Sequence, residues 1–269
     1  MTTNPTASPS CANSQSRSKL VIEARRVKFD FHDIETPFFY NGNAFISALW
    51  VALSSTFPVG EAEFIRSVRL FENKISDPKL LGEVNVFTAQ EAHHSLQHKQ
   101  LNKSLQRHGY QTQKIDELLQ ERINHRIENW APERCLARTV VAEHVTAIIS
   151  HYLLTNSTSN QTPDSFRDLF QWHAIEEIEH KSVAFDVYKH CVDDQQLLRK
   201  EFRRFSYFDF PKNIFFMTKF LLRELGYKMN WKERKEVWRY LFGSKGLMRR
   251  SQRSKYMMFM KGWVSPMEP

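Results

Sequence analysis

Cysteine is scarce in this 269-residue chain: Cys11, Cys135 and Cys191 are widely spaced and form no CxxC pair. That disfavours a disulfide framework and a thiolate zinc site, and fits a reducing cytosol. Glycine and proline are also few, at 8 and 10, which argues against the turn-dense layout of a β-sandwich and leaves room for long helices. No stretch is expected to reach the roughly 20 apolar residues of a membrane span. The first nineteen residues, rich in Ser, Thr, Asn and Pro, lack the apolar segment of a signal peptide and read as a disordered tail. Acidic residues run short only toward the C-terminus. Residues 1–198 hold 20 Lys+Arg against 24 Asp+Glu, and residues 199–269 hold 18 against 6, so arguments from charge about partners apply to the last quarter alone.

What is present is helical patterning. With 41% hydrophobic residues, the chain can bury one substantial core plus an appendage. Residues 20–42 mix charge with Phe29, Phe31, Phe38, Phe39 and Tyr40, as expected of an irregular strap over that core. Residues 43–56 are apolar nearly all round, a buried helix, and Phe57-Pro58-Val59-Gly60 predicts a kink or restart before a second stretch at 61–75. Asp77-Pro78 opens a helix to about His108, before Gly109. Residues 113–129 form an amphipathic surface helix with Ile115, Leu118, Leu119, Ile123 and Ile127 on one side, placed in a crossover. Pro132 opens a helix to about Leu154, and Pro163-Asp164 opens one to about Cys191. Further helices are expected at 211–227 and 231–242. The fold class is all-α, a four-helix bundle with additional N- and C-terminal helices. The division is a tail at 1–19, a bundle at 20–200 and a basic, aromatic-rich extension at 201–269 packed on it.

Two Glu-x-x-His pairs lie on predicted core helices, Glu91 with His94 and Glu177 with His180. Residues three apart share a helix face, so each pair can offer a carboxylate and an imidazole to one ion. A single pair means little, since roughly one chance occurrence is expected in a chain of this composition. The pattern sharpens because Glu61 and Glu143 precede the two pairs on the helix before each. A bundle with a long crossover between its halves would aim all six groups at one central space. Four carboxylates balance the charge of two divalent ions, and carboxylate-rich, thiolate-free ligation suits iron or manganese before zinc. Alternatives stay open: Glu63 competes with Glu61, and His144 with Glu143. His98 reads as lining or as a partner behind the ligands. Glu176 and Glu179 read as helix-face carboxylates, and His93, His144, His151 and His190 as ordinary polar or packing residues.

The motifs FPVGEAEF at 57–64, QEAHHSLQH at 90–98 and WHAIEEIEHKSVAFDVY at 172–188 resemble the bacterial family of predicted metal-dependent hydrolases, over about residues 25–265. That resemblance implies a ferritin-like bundle with a dimetal carboxylate site. The chain is also similar to the di-iron 4-aminobenzoate N-oxygenases, in which an extra histidine stands one turn before the last Glu-x-x-His, the place of His173 here. The resemblance implies the ligand set Glu61, Glu91, His94, Glu143, His173, Glu177 and His180, with His173 either a seventh ligand or a residue behind the ligands. No catalytic residue is expected beyond these.

The first functional expectation is a non-haem di-iron oxygenase acting on a small organic substrate, apolar or acidic, and drawing on an electron donor. The alternative is a metal-dependent hydrolase using a metal-bridging hydroxide on an ester, amide or phosphate. Iron storage is disfavoured by the apolar helix at 43–56 and the aromatic strap. The C-terminal quarter interleaves aromatics such as Phe208, Phe215, Phe216, Trp231 and Trp238 with Arg and Lys. This pattern suits amphipathic packing or, alternatively, contact with an anionic membrane surface. Nucleic acid is not an expected partner, because no recognised motif accompanies the charge. A homodimer is compatible with the sequence, and the expected location is the cytoplasm or the periphery of the inner membrane.

Overall fold

The computed structural model describes residues 22–156, 162–244 and 246–247. The expected tail at 1–19 and the last residues of the C-terminal extension lie outside the described residues. Every regular element among the described residues is helical. The expected all-α bundle is present. Its four long members are α1 (Ala44–Arg69), α2 (Pro78–Gln106), α4 (Pro132–Thr155) and α5 (Asp164–His180), and α3 (Thr112–Asn129) forms the crossover between the halves. Then come α6 (Val183–Cys191), α7 (Gln195–Arg204), a π-helical turn at Phe205–Asp209, α8 (Phe210–Glu224) and α9 (Trp231–Phe242). α1 pairs with α2 and α4 with α5, α8 lies across α1, and α7 lies against α4.

Local chemistry sets most of the starts. Asn43 caps α1 by accepting from the Ile46 N–H at 3.0 Å, and Asp77 caps α2 by accepting from the Lys79 N–H, with Pro78 in the first turn. Gly109, at φ +90°, turns the chain out of α2 in a conformation costly for other residues.

Three expectations need correction. The motif at Phe57–Gly60 does not interrupt the helix: α1 runs unbroken from Ala44 to Arg69 with Pro58 inside it. Proline deprives the carbonyl four residues back of its helical partner, and here that Ser54 carbonyl accepts instead from Asn102 Nδ2 at 3.2 Å. The helix beginning at 164 does not reach Cys191 in one piece. At Lys181 and Ser182 ψ is −19°, flatter than an α-helix, so α5 and α6 are separate. Finally, α1 is long and apolar enough to cross a membrane by length and composition, although 72% of its apolar stretch is buried in the fold. Its side chains are spent on the core.

That core has two apolar parts. One gathers Ala44–Leu53 of α1, Leu101 and Leu105 of α2, and Phe166–Trp172 of α5; the other gathers Val68, Val84, Phe87, Leu136–Val141 and Val183–Tyr188. Along α1, α2 and α5 the residues between these clusters are Glu61, Glu91–His98 and His173–His180. A polar slab is thereby enclosed between apolar ends.

Candidate metal centre

All seven side chains singled out from the sequence are buried and converge in this slab. Glu61 comes from α1, Glu91 and His94 from α2, Glu143 from α4, and His173, Glu177 and His180 from α5. Ligating atoms of Glu91, His94, Glu177 and His180 lie within 4.8 Å of one another, as do those of Glu61, His94 and His173. Glu177 is the hub. Its Oε1 is 3.0 Å from His173 Nε2, 3.5 Å from His180 Nε2 and 3.9 Å from His94 Nδ1, and its Oε2 accepts from the Thr146 hydroxyl. His180 Nε2 also faces Glu91 at 3.3 Å and Glu143 at 3.8 Å, and Glu61 lies 3.7 Å from His173 Nε2.

The competitors separate cleanly. Glu63 is held bidentately by Arg126 at 2.7 and 2.6 Å, which leaves Glu61 to face the cluster. His144 lies against the Phe202 ring, while its neighbour Glu143 points at His180.

Hydrogen bonds around the cluster decide which nitrogen of His173 faces inward. Asn102 Nδ2 donates to the Ser54 carbonyl, so its Oδ1 accepts from the Ser54 hydroxyl at 2.7 Å. That hydroxyl, its proton already committed, accepts from His98 Nδ1 at 2.9 Å, and His98 Nε2 then accepts from His173 Nδ1 at 2.7 Å. Burial, reinforced by the neighbouring rings of His173 and His94, holds His98 well below the ordinary histidine range, so it is neutral as this relay requires. His173 Nε2 is left with a lone pair aimed at a carboxylate oxygen. Such an arrangement is repulsive unless a cation or a proton lies between them.

The carboxylates make the same demand. Among the described residues, both oxygens of Glu61, Glu91 and Glu143 are buried with no hydrogen-bond partner. Burial and the neighbouring carboxylates raise Glu61 and Glu143 well above the usual range. Burial pushes Glu91 up to about 8 despite the opposing pull of His180. Burial would raise Glu177 too, but the adjoining imidazoles of His173 and His180 outweigh it and hold it well below the usual range. Isolated charges in such a place cost several kcal/mol each (~2–5 kcal/mol), and divalent cations would remove that cost. The donor set, oxygen and imidazole without thiolate, fits hard or borderline ions such as iron, manganese or zinc.

Two outer residues escaped the sequence reading. Glu176 is not a solvent-facing carboxylate. It is fully buried, takes His94 Nε2 at 3.1 Å, and accepts from Trp172 Nε1 at 3.2 Å and from the Arg25 N–H at 3.1 Å. By fixing His94 Nε2, it leaves Nδ1 facing the cluster. The spacing of Trp172 and Glu176, four apart on one helix, was the available signal. Arg25, in the N-terminal strap, also bonds Glu179 at 2.8 and 2.6 Å, and nothing in the sequence pointed to it. A cavity of about 110 Å³ touches Glu61 and is walled by apolar side chains such as Leu53, Phe57, Val145 and Met217. A smaller one of about 20 Å³, sharing Leu53, Phe57 and Thr146, reaches His173 and Glu177.

Together these features define a class: an all-α bundle with a buried glutamate–histidine site that could hold metal ions. The chain belongs to the family described as predicted metal-dependent hydrolase, whose family model matches residues 23–267. Nothing matches it among curated proteins or among solved structures.

Proposed function

We propose that Glu61, Glu91, His94, Glu143, His173, Glu177 and His180 hold two divalent ions, iron before manganese or zinc, and that the protein uses them to oxidise a small organic substrate. One observation carries this reading: buried carboxylates without partners face imidazole nitrogens, and His94 and His173 are tied on their opposite sides, which is a cluster built for cations. Bound there in the ferrous state, iron would supply electrons for the reduction of dioxygen. The chain's own residues do the rest. Glu177 joins the two halves, Glu176 and His98 orient His94 and His173, and the apolar walls exclude bulk water. The 110 Å³ cavity brings an apolar substrate to the Glu61 side. The cavity's one carboxylate outside the cluster, Glu63, is tied to Arg126, so no free group stands ready to protonate a hydrolytic leaving group.

The hydrolase reading is favoured by the description of the family itself, and it uses the same seven residues to activate water. The same proposal puts the protein in the cytoplasm, where an electron donor is at hand. To separate the two, the protein is loaded anaerobically with ferrous iron and its metal content measured. It is then mixed with oxygen while absorbance is followed, beside parallel ester, amide and phosphoester assays. Oxygen uptake with a transient visible band is expected. Inertness to oxygen together with metal-dependent ester, amide or phosphoester cleavage would replace the oxidative reading with the hydrolytic one.

A further inference from the structure

Among the described residues the outer face of α8 has no packing partner, and its composition is unusual. Phe208 (68% exposed), Phe215 (56%) and Phe216 (58%) stand in solvent, interleaved with the exposed cations Lys212, Lys219 and Arg223. At about 100° per residue these positions fall within one arc of roughly a third of the helix. The opposite face of α8, through Ile214, Met217 and Leu221, is buried. Beside Phe208 opens a groove lined by Arg199, Lys200, Arg203 and Arg204. Its one acid, Asp209, is already engaged by Arg138 at 2.9 Å.

Aromatic rings alternating with cations suit the boundary between acyl chains and anionic headgroups: the rings enter the apolar layer and the cations meet phosphate. A second copy of the chain fits poorly, since a two-fold contact would set this basic groove against itself. Residues 248–269 fit no better, carrying five Lys+Arg against one acid. The face is also tied to the centre of the molecule. Phe205, Phe210, Ile214 and Met217, from the same turn and helix, line the cavity that touches Glu61.

We infer that the outer face of α8, with the adjoining groove, docks the protein on an anionic phospholipid bilayer, so that α8 stands between the bilayer, as the source of an apolar substrate, and the Glu61 cavity. The docking does not rest on the metal reading, and its test needs no catalysis.

The full-length, metal-loaded protein is sedimented with vesicles of phosphatidylcholine alone and with vesicles containing about 30% phosphatidylglycerol, at low and high salt. Two triple variants are run beside it, Phe208→Ser/Phe215→Ser/Phe216→Ser and Lys212→Glu/Lys219→Glu/Arg223→Glu, each checked for unchanged helicity and metal per chain. Salt-sensitive binding to the anionic vesicles is expected, with little to neutral ones, and each variant should bind about tenfold more weakly or worse. Should a variant fail to fold, single substitutions at Phe215 and Lys219 are read in its place. Wild-type protein that ignores anionic vesicles, or variants that bind them as well as wild type, would overturn the proposal. So would a dimer in solution that the substitutions dissociate while vesicle binding is absent.

Discussion

The two halves of the buried cluster use the same sequence pattern in different surroundings. On the Glu61 side, both imidazoles are tied from behind, His94 by Glu176 and His173 by His98. On the Glu143 side, neither ring nitrogen of His180 has a hydrogen-bond partner among the described residues, and the ring rests against Phe87 with centroids 5.0 Å apart. One half is oriented by a polar relay and the other by packing alone. Outer hydrogen bonds fix ring orientation and raise ligand basicity, so the Glu61 half should bind its ion more tightly. Glu91 and Glu177, between the halves, couple them.

The largest effect should come from erasing the comparison. Glu177→Gln removes the shared carboxylate, and metal content by elemental analysis should fall from about two ions per chain to well under one; near-normal loading would show that Glu177 is not the hub. Acid should act almost as strongly. The raised Glu91 favours the fold in its protonated form. That contribution is complete below the ordinary value of 4.5 and is lost as pH rises through about 8. An ion, in contrast, needs the carboxylate. The gain in Tm on adding metal should therefore grow across this window, with apparent affinity rising about tenfold per pH unit for each proton displaced. A gain in Tm that stays flat with pH would mean that no proton leaves.

His180→Ala should break one side only, leaving about one ion bound on the Glu61 side; loss of both ions would make the halves inseparable. Asn102→Leu unties the relay behind His173 and should weaken the first ion about 10- to 100-fold in a competitive chelator titration, with the second ion little changed. Arg25→Ala acts at one further remove, through Glu176, and a few-fold loss (~2–5-fold) of first-site affinity is expected in the same titration. An Arg25→Ala effect larger than that of Asn102→Leu would reverse the ranking.

Much of this was legible in the residues. Helix starts at Asp77-Pro78, Pro132 and Pro163-Asp164 are local chemistry and were readable as such. The two Glu-x-x-His pairs, with a glutamate on each preceding helix, marked the convergence before any coordinates. The signal failed where a distant group changes the meaning of a local one. Pro58 looked like a break because its effect on Ser54 is local, whereas the remedy, Asn102, lies on another helix. Glu176 looked like a surface acid because the sequence shows Trp172 one turn away but not His94 and Arg25 closing around it. α7 was missed because it is only ten residues long, although Asp194 caps it by accepting from the Gln196 and Leu197 N–H groups and Leu198 and Phe202, four apart, share its buried face.

The sequence by itself determined the helices, the side chains able to hold metal and the gathering of positive charge in the last quarter. Those follow from spacing and composition, which are properties of the chain. Tertiary structure alone decided which nitrogen of each histidine faces inward, which half of the cluster is braced, and that the exposed face of α8 backs onto the cavity at Glu61. Hydrogen-bond direction and burial are relations between helices far apart in the chain, and they exist only once those helices are packed.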